Sequence, residues 1–454
     1  MNVKKIITLL SIIIISTSVF GEEKLSKVSN YENRNDIYFF NGYDFQEIES
    51  SAHSISLTDF VDSEIRDISE RQTKRTGKNK EYTIIGYSEG GLRVLAYAKR
   101  LKEKMPNEYK NLKAVITVSG IDKGIKALDG GFTPLKSKVQ NDINTIYNGV
   151  NGFIIGMPLT SLVALVIGDI ALCANKNTIL ELITDVTPWL DSYITCAWKG
   201  GTYDQLAELY DMMPGSNFIK NNVAYVQSVP YKVQVDTRNK ISLESKKILG
   251  IRIYYPVIKK IPVYKNYTAY KDVMRIDSNL PVGYIVGTDS NTLGFLNDAE
   301  DIDINESDVR TGAAIIKGAM YTAAAVNIAK CVASLGILSY HATAASNCIS
   351  AGDWFKNIDS EINELKGSNE NDGLVAKESQ YYPKTFYNPD TKRNEEVHSK
   401  VLSKTMLGYE TMYYNHMTIN PNNNDETKDT IFKMIDYADS LKKEASLIIQ
   451  DNAK

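Results

Sequence analysis

Cysteine is scarce, four in 454 residues, far too few to hold a chain of this size together by cross-links as small disulfide-built domains do. Whatever stabilises it is a core. Proline and glycine are also thin, at 12 and 28, which excludes collagen-like and low-complexity architectures. An excess of one charge is missing too: 52 Lys and Arg against 55 Asp and Glu leave a formal −3. Wholesale phosphate neutralisation is therefore not the main task, and no nucleic-acid partner is expected. Histidine numbers four, His, Asp and Glu do not recur at metal-ligand spacing, and no Gly-rich phosphate loop is visible, so neither a metal nor another cofactor is expected. What remains is a chain 43% hydrophobic, long enough for one large α/β domain with insertions or for two or three average domains.

The first twenty-one residues read as an export signal. Lys4 and Lys5 precede an apolar run from Ile6 to Phe20, and Gly21 offers a small residue before Glu22 and Glu23. Fifteen residues of helix span about 22 Å, short of a hydrocarbon core of about 30 Å, so cleavage is expected rather than anchoring, and a secreted or periplasmic location with it. In such an oxidising space Cys173 could pair with Cys196 and Cys331 with Cys348, each bridge closing a local loop worth roughly 3 kcal/mol. Four free thiols are the alternative.

Short apolar runs at Asp36–Gly42, Glu81–Tyr87, Lys113–Gly120 and Pro281–Gly287 read as buried strands. Between the second and third, Leu92, Leu95, Ala98 and Leu101 recur at helical spacing. Near-continuous apolar strands alternating with helices predict a mostly parallel sheet covered on both faces. Two long stretches interrupt the pattern. Phe153–Cys173 carries one charge, Asp169, and Ala313–Ala345 is Ala-rich; both are expected to be helical insertions rather than membrane spans. The expected organisation is a signal peptide (1–21), the N-terminal part of the core (22–124), a cap or lid insertion (125–280), a core strand (281–290), a second helical insertion (291–366) and the C-terminal part of the core (367–454). No internal repeat is seen.

Gly86-Tyr87-Ser88-Glu89-Gly90 is a G-x-S-x-G match. Alone it carries little, but here Ser88 ends a predicted strand and opens a predicted helix, where a nucleophile elbow lies. A serine in such a bend is backbone-strained, and side chains at Gly86 and Gly90 would collide with the neighbouring strand and helix. Its hydroxyl would sit beside the first amides of a helix, which favour a developing oxyanion.

From this point the chain resembles the α/β-hydrolases, and within them exported bacterial triacylglycerol lipases and esterases. Gly86 to Gly91 resembles the lipase elbow, and Asn371-Asp372-Gly373-Leu374-Val375, followed by Ser379-Gln380, resembles the loop of the catalytic acid. Phe40 to Tyr43 is similar to a strand-end oxyanion segment, Ser119 to Gly124 to the lead into a lid, Pro214 to Phe218 to a cap segment, and Asn415-His416 to the histidine loop. The resemblance implies an α/β-hydrolase fold of about six strands, lacking the first two strands of the larger sheet, with helical cap or lid insertions. It implies hydrolysis of carboxylic esters of a lipid-like acyl chain, with the N–H groups of Tyr43 and Glu89 as oxyanion donors. Asn41 and Tyr87 stand where the family commonly has His. Neither position belongs to a triad, and backbone amides survive side-chain changes. The Glu89 carboxylate would oppose an oxyanion if it were close, so it is expected to point away or to be paired.

A serine hydroxyl needs a base, and the base needs an orienting carboxylate. Of the four histidines, His53 precedes the elbow, against the family order. His341 lies in the Ala-rich insertion, and His398 sits among charged residues. His416, after Tyr413-Tyr414 and before the last helix, is the favoured base. Asp372, in a turn-rich loop, is the favoured acid, and Asp289, directly after a strand, is its rival. An acyltransferase with the same triad, or an inactive hydrolase-like interaction protein, would look the same in sequence.

Overall fold

The computed structural model describes residues 28–42, 55–156, 203–291, 306–360, 368–396 and 406–452, apart from short breaks inside those spans. The export signal, Tyr43, His53, Cys173, Cys196, His398 and all but the first residues of the Phe153–Cys173 run lie outside the described residues.

A mixed, mostly parallel sheet of six strands organises the larger unit. Its order is β1 (Val28–Asn30), β2 (Ile37–Phe40), β3 (Tyr82–Tyr87), β4 (Leu112–Val118), β7 (Val282–Gly287) and β10 (Met406–Met412). Only the β1–β2 pairing in it is antiparallel. All four strands expected from apolar runs are present, and every residue of β2, β3, β4 and β7 is buried. The two edge strands have no such run to announce them. β1 lies in a polar lead. In β10, Glu410 and Thr411 are exposed and Met412 is buried, because an edge strand with one wet side carries no continuous apolar signal.

Alternation along the strands fills both faces. Ile37 and Phe39 belong to a cluster with Ile85, Ile116, Ile285 and helix α8 (Asp425–Asn452), which contributes Ile431, Met434, Ile435 and Ala438. On the other face Phe40 meets Tyr97 edge-on at 5.6 Å and Tyr38 meets Tyr82 at 5.4 Å. That face is covered by α1 (Leu57–Thr73) and α2 (Glu89–Lys104). As the helical spacing predicts, Leu92, Leu95, Ala98 and Leu101 of α2 are all buried.

The two insertions differ from expectation. Part of the first, α3 (Phe132–Gly156), packs with α6 (Glu306–Ala333) and α7 (Tyr340–Lys356) of the second. Small residues allow it: a Cβ on Gly152 would collide with the Ala344 carbonyl, and one on Gly149 with the Ala351 side chain. Buried Asn327 donates to the Gly152 carbonyl (2.9 Å), and its Oδ1 lies 2.7 Å from His341 Nδ1. His341 is thus a satisfied interior histidine. Cys331 and Cys348 are free thiols, which corrects the pairing expected for them. Cys348 faces the Gly149 carbonyl across the α3–α7 contact (3.6 Å) rather than α6's Cys331, and burial pushes its thiol up to about 11.

Beyond residue 202, the described part of the first insertion holds α4 (Tyr203–Asp211), α5 (Asn217–Asn222) and a long antiparallel ribbon of β5 (Ala224–Ile248) and β6 (Ile251–Met274). Residues 224–274 form a compact unit of their own. Their recurring Tyr, Val and Ile, interleaved with Lys, suit a pleated and largely solvated strand pair. No apolar run marks them, and the ribbon corrects the helical cap expected over this segment. A small hairpin, β8 (Thr385–Asn388) with β9 (Arg393–Glu396), completes the described strands.

Candidate active site

The parallel strands end level with one another: Phe40 pairs with Gly86, Tyr87 with Val118, Val118 with Ile285, and Gly287 with Met412. Residues just past those ends therefore share one rim of the sheet, where open α/β sheets place their sites.

Ser88 stands at the bend between β3 and α2 with φ +55° and ψ −123°. A non-glycine residue in that region is held at a cost of about 1–3 kcal/mol and persists only when its surroundings fix it. They do: Ser88 N donates to Val118 O (3.0 Å), and Ser88 O accepts from Gly91 N (3.0 Å) and Ile121 N (3.1 Å). A Cβ on Gly86 would strike the Gly90 carbonyl, and one on Gly90 would strike the Phe40 carbonyl. The motif's glycines are there for close backbone approach. Gly42 lies so near that a Cβ on it would sit 2.8 Å from Ser88 Cβ, which brings the strand-end segment against the serine. Glu89, the other expected oxyanion donor, is the first residue of α2, so its N–H points out of the helix's N-terminal end.

His416 comes 328 residues later, in the turn after β10. Asn415 shapes that turn, its Oδ1 accepting from Met417 N (3.0 Å) and Thr418 N (2.9 Å). His416 N donates to Asp372 O (2.6 Å), and His416 O accepts from the Tyr87 hydroxyl (2.6 Å), whose ring lies 5.3 Å from the imidazole. Burial raises the Tyr87 pKa, which keeps the phenol a donor. The imidazole's Nε2 is 2.9 Å from Ser88 Oγ and its Nδ1 is 2.8 Å from Asp372 Oδ2.

Asp372 is wholly buried and has four donors. Leu374 N (3.1 Å) and Val375 N (2.7 Å) reach Oδ1, and Ser119 Oγ (2.5 Å) joins His416 at Oδ2. An acceptor at Nδ1 assigns that nitrogen the proton and leaves the Nε2 lone pair facing Ser88. Asp289 adjoins the histidine's turn through its backbone, its N donating to Tyr414 O (3.2 Å), but its Oδ1 accepts from Asn291 N (3.0 Å) in its own turn. The structure thus sets Asp372, not Asp289, against the histidine.

Three supporting groups take roles that no motif assigns, although Ser119 and Gln380 fall in segments that the resemblance covers. Ser119, at φ +46°, holds the Asp372 carboxylate. Gln380 ties the acid loop to the end of β7, its Oε1 accepting from Gly287 N (2.9 Å) and its Nε2 donating to Gly287 O (3.2 Å) and Val375 O (3.1 Å). Arg93, buried in α2, stands 2.9 Å from Glu64 and 3.2 Å from Glu89, and its guanidinium donates to the Asn41 carbonyl. Glu89 is thereby paired, as its position requires. Burial pushes Glu64 up to about 7, with Arg93 pulling it down and Glu89 pushing it further up. The only sequence signal for this cluster is the i,i+4 spacing of Glu89 and Arg93.

Compared with known protein families, with curated proteins and with solved structures, the chain matches none.

Proposed function

We propose that this protein is an α/β-hydrolase-like serine esterase, exported from the cell, that cleaves carboxylic esters of lipid-like acyl chains through an acyl-enzyme. The observation that carries the reading is the unbroken chain from Ser88 Oγ through the His416 ring to Asp372, 2.9 and 2.8 Å long and almost closed to water, the serine being 8% and the histidine 2% exposed. Each group has one task. Nε2 of His416 takes the Ser88 proton as Oγ attacks the ester carbonyl, and the carbonyl π pair becomes the oxyanion, held by the Glu89 amide together with the strand-end segment at Gly42. The oxyanion collapses, the C–O bond to the alcohol breaks, and the imidazolium protonates the departing oxygen. Water, deprotonated by the same nitrogen, then attacks the acyl-serine. Carboxylic acid leaves, and the proton returns to Ser88.

Buried Asp372 stabilises the imidazolium and fixes its tautomer throughout. The acyl preference rests on the apolar run Phe153–Cys173 in the sequence, since each buried CH₂ of a substrate chain contributes about 0.8 kcal/mol.

The test is labelling by a fluorophosphonate, followed by a panel of p-nitrophenyl esters of increasing chain length. Ser88→Ala is expected to lose both labelling and hydrolysis. Labelling that survives in this variant, or a protein inert toward every ester, overturns the reading; strict preference for acetate overturns its lipid part.

A further inference from the structure

The β5–β6 ribbon is built unlike the rest of the chain. Residues 224–274 carry ten Lys and Arg against three Asp and Glu, a surplus of seven in a protein whose formal net charge is −3, so the remainder stands at −10. Two strands of 25 and 24 residues form a sheet of their own, and a two-stranded ribbon by itself is marginal in water.

The register sorts its outer half. Paired residues share a face, and every second pair returns to it. One face reads Asn239–Lys260, Ile241–Ile258, Leu243–Pro256, Ser245–Tyr254 and Lys247–Arg252. Aliphatic side chains hold the centre, a tyrosine comes next, and cations close both ends, over about 27 Å at 3.4 Å per residue. Ile241 and Leu243 are each 70% exposed, Ile258 66% and Tyr254 61%.

We propose that this face lies flat on an anionic lipid surface, with Ile241, Leu243, Ile258 and Tyr254 entering the headgroup–acyl boundary while Lys247, Arg252 and Lys260 engage lipid phosphates. Apolar residues flanked by cations, with an amphipathic tyrosine between, match the layers of a membrane interface. A water-soluble polyanion would use the cations but leave the aliphatic centre idle. A second copy of the ribbon would bring two like surpluses of charge together. Spanning the bilayer is disfavoured because Lys240 and Lys259, paired across the opposite face, would have to enter hydrocarbon. The inference stands apart from the ester chemistry.

The test uses the full chain with Ser88→Ala, so that vesicles stay intact. Co-sedimentation compares phosphatidylcholine vesicles with vesicles containing about 30% phosphatidylglycerol, at two salt concentrations, since anionic headgroups and screening set the attraction. Binding is expected to be at least tenfold tighter to the anionic vesicles and to weaken with salt. The triple change Lys247→Glu, Arg252→Glu, Lys260→Glu should weaken it by about a hundredfold, each lost cation being worth about fivefold. The triple change Ile241→Ser, Leu243→Ser, Ile258→Ser should weaken it by more than tenfold with the salt dependence kept. All six residues are on the surface, and an unchanged circular dichroism melt shows that the variants fold.

Absent binding, equal binding to both vesicle types, or insensitivity to either triple change overturns the proposal. So does a concentration-dependent dimer that the serine triple change abolishes, or heparin binding with no affinity for vesicles. An inert Ser88 with vesicle binding intact would sink the esterase reading and leave this one standing.

Discussion

Replacing Asp372 by Asn substitutes an NH₂ for one carboxylate oxygen, and the surrounding donors dictate how the new amide sits. Leu374 N and Val375 N both donate to Oδ1, so the amide oxygen stays there and its NH₂ takes the place of Oδ2. Two donors faced that atom. Ser119 can turn its hydroxyl toward Gln380 Oε1, 3.3 Å away. His416 cannot turn aside, because its backbone is tied to Asp372 O and its carbonyl to Tyr87. The ring must therefore accept at Nδ1 and carry its proton on Nε2, which now points a hydrogen at Ser88 Oγ and cannot remove one. Loss of the imidazolium's counter-charge adds to this. The expected fall in kcat is about 10⁴-fold, or about 5.5 kcal/mol in barrier, with KM nearly unchanged because no substrate contact is removed. Steady-state hydrolysis of a p-nitrophenyl ester by Asp372→Asn and, in parallel, Asp289→Asn measures it. Asp289 sits in its own turn, so its variant should stay within about threefold, the small range usual for a residue outside the reacting unit. An Asp372→Asn variant within tenfold of the parent, or a collapse in Asp289→Asn instead, would refute the assignment of the acid.

Other expectations are as definite. Tyr87→Phe leaves the buried His416 carbonyl without its 2.6 Å donor; unfolding in urea should show a loss of about 1–3 kcal/mol, accompanied by a lower kcat. Glu64 predicts a pH effect of known sign. Its folded pKa of about 7 lies above the ordinary 4.5, so its contribution is complete below pH 4.5 and declines as pH rises to 7, where the unfolded chain has already released the proton. Over those units, at about 1.36 kcal/mol each, parent stability should fall by roughly 3 kcal/mol relative to Glu64→Gln, and a constant difference between the two melts across that range would contradict it. Gly90→Ala drives a methyl into the Phe40 carbonyl; a cost of about 3 kcal/mol or more is expected, read as a lowered Tm with little soluble protein. In native protein a maleimide should label Cys331 and spare buried, protonated Cys348 until denaturant is added, with peptide mapping as the check.

Much of the site was legible because its chemistry is local. The elbow needs glycines two positions either side of Ser88, since the strand and helix touch there, and that requirement leaves a written motif. Asp372 was findable because a turn-rich loop advertises itself through Asn, Asp and Gly, and His416 because, of the four histidines, it follows the aromatic run Tyr413-Tyr414 and precedes the last helix. Ser119 and Gln380 fall in segments that the resemblance covers, but nothing in the sequence marks their roles, nor those of Glu64 and Arg93. Each is an ordinary polar residue whose importance comes from a partner remote in sequence, 253 residues away for Ser119 and Asp372. The thiols misled for the same reason. Spacing alone allowed Cys331 and Cys348 to meet, but the packing of three small-faced helices turns Cys348 toward α3.

The buried strands, the first helix after the elbow and the bend at Ser88 are readable in the chain alone, because continuous apolar runs, helical periodicity and close-approach glycines are forced by its own sterics and solvation. The edge strands, the ribbon of residues 224–274, the setting of Asp372 rather than Asp289 against His416 and the network around it come from packing. A half-solvated strand carries no apolar run to betray it. Which carboxylate meets an imidazole depends on how loops from distant strands converge on one rim, and that is settled when the sheet packs.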